Sequence, residues 1–172
     1  MANICETSIE VTLKDSKAAQ KMQRALSALA KPDNILELDT PQHVLFDPII
    51  TRQGRVVSLC GSTRWAHSDR DFSRNILYLR AQMPGKVDKV AIRYSELGTP
   101  VYGVATASGD DDYATDTFVR MDPLLGALVA ISAVADQSDV LSWANMERLA
   151  CAALLKDESC VSERDFQLEN QK

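Results

Sequence analysis

The chain has 172 residues, 45% of them hydrophobic and 25% charged, with a formal net charge of −5. This is enough chain for one globular core, and its overall acidity argues against general DNA binding. No apolar run approaches the roughly 20 residues that a membrane-spanning helix needs, which excludes a helical membrane protein on this stretch.

The charge is sorted along the sequence. Residues 1–51 carry −2, residues 52–93 carry +6 with nine basic side chains against three acids, and residues 94–172 carry −9. The opening MANICETSIEVTLKD lacks the basic start and apolar stretch of a secretory signal, so the cytoplasm is the expected compartment. The four cysteines, Cys5, Cys60, Cys151 and Cys160, lie far apart without close metal-type pairs. They read as reduced thiols.

In chain order, Ile9, Val11 and Leu13 alternate with Ser8, Glu10 and Thr12, which predicts a half-buried first strand. Asp15 or Ser16 then caps a helix whose apolar stripe is Met22, Leu26 and Leu29, stopped by Lys31-Pro32-Asp33-Asn34. Residues 35–54, punctuated by Pro41 and Pro48, read as an irregular connection with at most one short edge pair. Val57, Leu59 and Gly61 alternating with Val56, Ser58 and Cys60 predict a strand buried on both faces. Gly61-Ser62-Thr63 lacks the later glycine, lysine and hydroxyl of a phosphate loop. Ser68 or Asp69 starts a second helix with Phe72, Ile76, Leu79 and Met83 inward, ended by Pro84-Gly85.

Two strands, 87–96 and 101–108, follow as a hairpin around Leu97-Gly98-Thr99-Pro100, and form the expected centre of the sheet. The small residues Gly103, Ala105 and Ala107 on one face are expected to let a helix lie close. Beyond the Asp110–Asp112 turn comes a short strand at 115–120. Asp122-Pro123 opens an alanine-rich, nearly all-apolar helix at 124–135, followed by a last helix at 140–156 and a polar, fraying tail. The expected fold class is therefore α+β: a ferredoxin-like sandwich, an antiparallel sheet with helices packed on one face, plus a C-terminal helical extension. The expected organisation is one domain over 1–120, the helical extension at 121–158 on the same core, and the tail at 159–172.

The opening MANICETSIEVTLKD, the Gly61-Ser62-Thr63-Arg64-Trp65 turn and the Tyr94-Ser95-Glu96-Leu97-Gly98 to Tyr102-Gly103 hairpin together resemble the YubB-type ferredoxin-like family of plasmid and phage proteins. The matching positions are Trp65, Glu96, Gly98 and Gly103, within about residues 2–110. Ile4 stands where that family has an N-terminal tryptophan, and the chain from Asp122 onward lies outside the resemblance. The resemblance implies an origin in a mobile genetic element and supplies no catalytic residues.

No catalytic set, cofactor motif or metal-ligand spacing stands out. Asp110, Asp111 and Asp112 lack the spacing of a calcium loop, and His43 and His67 are the only histidines. The expected role is that of a non-enzymatic protein-binding protein without a cofactor, an inhibitor of the anti-CRISPR, counter-defence sort. Its acidic contact residues would be Glu96, Asp110, Asp111, Asp112 and Asp116, facing a basic channel on a nucleic-acid-binding host protein. The competing reading is a nucleic-acid-binding accessory protein using a strip of Arg64, Arg70, Arg74, Arg80 and Arg93 on phosphates. The 124–135 segment is a candidate homodimer surface.

Overall fold

The first strand organises the sheet. In a computed structural model, described over residues 5–29, 35–37, 44–63, 68–96, 101–120 and 161–168, β1 (Cys5–Leu13) pairs on both sides. Its odd-numbered residues are buried and its even ones partly exposed, as a period of two demands of a strand with one wet face. Helix α1 (Ser16–Leu29) follows, started by Asp15 Oδ1 accepting from the Ala18 amide at 2.7 Å. The strands β2 (Ile35–Glu37), β3 (Val44–Gln53) and β4 (Val56–Thr63) lead back to β1. Helix α2 (Asp69–Gln82) has a capping box in which Ser68 accepts from the Asp71 amide while Asp71 accepts from the Ser68 amide. The chain then meanders through β5 (Val87–Glu96), β6 (Val101–Ser108) and β7 (Tyr113–Arg120), and β8 (Ser162–Gln167) pairs with β7.

All neighbours are antiparallel, in the order β2-β3-β4-β1-β5-β6-β7-β8. Both helices feed one core. Met22 and Leu26 of α1, with Phe72, Ile76 and Leu79 of α2, are fully buried in the same cluster as Ile9, Val57, Leu59 and Ile92. The opposite face of the sheet carries Ser8, Glu10, Ser58, Cys60 and Arg93.

This architecture corrects the expected fold class. The described residues are mostly one eight-stranded antiparallel sheet with two helices, not a ferredoxin-like sandwich of helices on a sheet. Three stretches account for the difference. Residues 44–53 form a ten-residue strand where an irregular connection was expected. Pro48 is accommodated because it sits in a bulge between Phe46 and Ile49, where the ladder needs no amide, with Asp47 at φ 50°. β4 is buried on one face only, since Cys60 is exposed and Ser58 half-buried. The tail expected to fray supplies β8, because Phe166 and Leu168 reach the core from it. Gly103 makes room for the Tyr94 ring across the β5–β6 pair, where a Cβ would run into it. The expected helices at 124–135 and 140–156, and with them the candidate dimer surface, lie outside the described residues.

Candidate functional site

The β7–β8 end of the sheet combines a buried polar cluster with an exposed acidic surface. At its centre is Asp116, expected on the acidic contact surface but in fact 0% exposed. Strand alternation explains this. Asp116 pairs with Ala105 and Arg164, so it points to the core face with Ala114 and Phe118. A buried carboxylate needs partners, and Asp116 has them. The Tyr94 hydroxyl donates to Oδ1 and Oδ2 at 3.0 and 3.1 Å, and Arg164 donates to Oδ2 through Nε at 3.1 Å and Nη2 at 2.8 Å. The Tyr94 ring lies 5.1 Å from Phe72, and the Arg164 guanidinium lies 5.3 Å over the Phe118 ring. Burial, reinforced by the adjacent Asp116, pushes the Tyr94 hydroxyl far above its ordinary value, so it stays a protonated donor.

The exposed carboxylates surround this cluster. β8 sorts its charges by face: Arg164 turns inward to Asp116, while Glu163 and Asp165 stand opposite Thr117 and Thr115 on the other face. Thr115 donates to Asp165 Oδ1 at 2.6 Å. Asp110, Asp111 and Asp112, all exposed, occupy the turn between β6 and β7. The Leu168 amide donates to the Asp112 carbonyl at 2.7 Å, which pins β8 to that turn. Tyr113, beside the three aspartates, is 61% exposed. Glu96 ends β5, and its side chain lies outside the described residues.

The arginines do not form one strip. Arg70 is exposed and Arg74 half-buried on α2, whereas Arg93 alternates with buried Ile92 and Tyr94 and so projects from the opposite face of the sheet. There it pairs with Glu10 at 2.7 Å. Arg80 is committed to the acidic turn, donating to the carbonyls of Asp111 at 2.8 Å and Ser108 at 3.4 Å. Its pKa is lowered by desolvation, against which the charges of Asp110, Asp111 and Asp112 act. Arg64, with Trp65, His67 and His43, lies outside the described residues.

Among the described residues no three of His, Cys, Asp and Glu gather as a metal site, Asp110–Asp112 included. Cys5 is buried and Cys60 exposed, on opposite faces of the sheet. No helix among the described residues is long and apolar enough to cross a membrane. No family model, curated protein or solved structure matches the chain, so the YubB-type resemblance rests on its sequence features alone.

Sequence reasoning missed Tyr94, Glu163, Arg164 and Asp165. The missed signal was the alternation of Arg164, Phe166 and Leu168 with Glu163, Asp165 and Gln167, a strand pattern hidden in a stretch that is polar overall.

Proposed function

We propose that the chain works by contact, as a protein-binding protein whose recognition surface is the acidic end of its sheet. The observation that carries this reading is the placement of Asp110, Asp111, Asp112, Glu163 and Asp165 in the exposed part of the β7–β8 end, with Arg164 turned inward. Arg80 offsets the turn only in part, because one guanidinium stands against the three carboxylates of Asp110, Asp111 and Asp112. Such a surface is complementary to a basic one, above all the phosphate-binding channel of a nucleic-acid-handling protein. Inhibition of such a partner in the cytoplasm, of a counter-defence kind, is the specific form we favour, on the acidic surface together with the mobile-element origin that the YubB-type resemblance implies. The division of Arg70, Arg74 and Arg93 between opposite faces supports this over a phosphate-binding strip.

The test is affinity capture from a host-cell lysate with its nucleic acid intact, at low and at high salt, with the wild-type chain and with Asp110→Asn/Asp111→Asn/Asp112→Asn. A basic protein retained at low salt, released at high salt and lost with the triple variant is the expected result. Retention of nucleic acid in place of protein, or capture indifferent to the triple variant, overturns the reading.

A further inference from the structure

β8 lies at the rim of the sheet, and one of its two main-chain edges has no strand beside it among the described residues. The ladder with β7 fixes which groups that edge presents. The Leu168 amide donates to the Asp112 carbonyl, and in an antiparallel ladder such hydrogen-bonded pairs recur at every second residue. The amides and carbonyls of Ser162, Arg164 and Phe166 therefore turn to β7, and those of Glu163, Asp165 and Gln167 turn outward. Ser73 of α2 agrees with this assignment, donating to the outward carbonyl of Gln167 at 3.1 Å. That bond closes the edge at its C-terminal end. It leaves Glu163 and Asp165, both exposed, with main-chain donors and acceptors pointing out. A strand edge of this kind is a template for a further strand.

The side chains of the same two residues select what can pair there. Glu163 and Asp165 share one face, and neither meets a cation among the described residues; Asp165 accepts from the neutral hydroxyl of Thr115. Arg164 between them is turned to Asp116 on the other face. The two carboxylates are about 7 Å apart along the strand. Residues directly opposite in an antiparallel pair share a face, so each carboxylate favours a cation opposite. A second copy of the chain does not supply one. Two β8 strands related by a two-fold axis at residue 163, 164 or 165 set carboxylate against carboxylate. The next register would need the Gln167 carbonyl that Ser73 holds.

We propose that the outer edge of β8 accepts an antiparallel strand of a partner protein that carries lysine or arginine at alternate positions, opposite Glu163 and Asp165. The proposal rests on the protein-binding reading above and names how that partner is held. Main-chain hydrogen bonds at the edge hold the strand, and charge sets its register.

The probes are fluorescein-labelled heptapeptides read by fluorescence anisotropy. One alternates lysine with threonine and one glutamate with threonine; two more are the lysine–threonine peptide N-methylated at its lysines or at its threonines. In the proposed register the lysine amides face β8 and the threonine amides face solvent. The lysine–threonine peptide and its threonine-methylated form are expected to bind. Methylation at the lysines is expected to abolish binding although the charge is kept. Glu163→Lys is expected to weaken binding about tenfold, the effect of a reversed charge at a contact. Asp165→Pro removes an outward amide that β7 does not use, and is expected to bind more weakly than Asp165→Asn. The proposal is overturned if the glutamate peptide binds as tightly, if methylation at the lysines changes nothing, or if no lysine peptide binds. It is also overturned if the chain is a dimer in size-exclusion chromatography that the lysine–threonine peptide dissolves. Failure here is separable from failure of the reading it rests on. A captured partner lost with the aspartate triple variant but held equally by Asp165→Pro and Asp165→Asn removes the edge alone. A partner held by the triple variant but lost with Asp165→Pro removes the acidic turn and leaves the edge.

Discussion

At the scale of the residue, Asp116 decides how the β7–β8 end is built. Its carboxylate is buried and receives Tyr94 and Arg164, so removing it takes a charged acceptor away from a tyrosine hydroxyl and a guanidinium. Asp116→Ala is expected to cost about 1–3 kcal/mol in thermal or urea unfolding, the range for taking the acceptor from a buried hydrogen-bonding group. Arg164→Ala should cost less, since the Arg164 side chain is 43% exposed. Gly103→Ala places a methyl against the Tyr94 ring and hydroxyl, and is expected to destabilise by about 1–3 kcal/mol as Tyr94 is pushed off Asp116. The raised Tyr94 pKa also has a pH signature. The unfolded chain loses the tyrosine proton near its ordinary value of 10.0 while the folded chain keeps it. The contribution is therefore complete below about pH 10 and is lost as pH rises beyond it. Melting temperatures measured from pH 8 to 11 should fall more steeply above about pH 10 in the wild type than in Tyr94→Phe.

At the scale of the element, the parts with strong local signals were legible and the parts made by tertiary pairing were not. β1, α1, α2, β5 and β6 each follow from periodicity and capping: Ile9, Val11 and Leu13 at period two, and Phe72, Ile76 and Leu79 behind Ser68 at helical spacing. Ser68→Ala should lower stability by about 1 kcal/mol by removing that cap, a loss that circular dichroism melts will register. β3 was hidden by Pro48, which local rules read as a break although a bulge accommodates it. β8 was hidden by its composition, and it becomes a strand only because β7 presents a partner and Phe166 lies 6.0 Å from Phe72. The acidic turn was legible as a turn, while the burial of Asp116 was not. Nothing in residues 113–120 alone says which face of β7 meets the core until β6 sets the register. An edge strand held by few contacts opens more readily than the centre of its sheet. Amide hydrogen exchange should therefore be fast across β8 and slow across β1, which pairs on both sides. Equal protection of the two would contradict this ranking.

At the scale of the whole molecule, the charge sorted along the sequence is partly re-mixed in space. Arg93 from the basic segment pairs with Glu10 from the first, and Arg80 lies against Asp110–Asp112 from the last. What survives is local: carboxylates turned outward at one end of the sheet. Recognition by such a surface is fast and salt-sensitive, because charge complementarity acts mainly on encounter. The most direct test is the association rate of the captured protein partner as ionic strength is varied, for the wild type and for Asp110→Asn/Asp111→Asn/Asp112→Asn. The acidic end predicts a wild-type rate that falls steeply with salt, and a triple variant about tenfold slower at low salt with a nearly flat dependence. Two superimposable salt curves would contradict it.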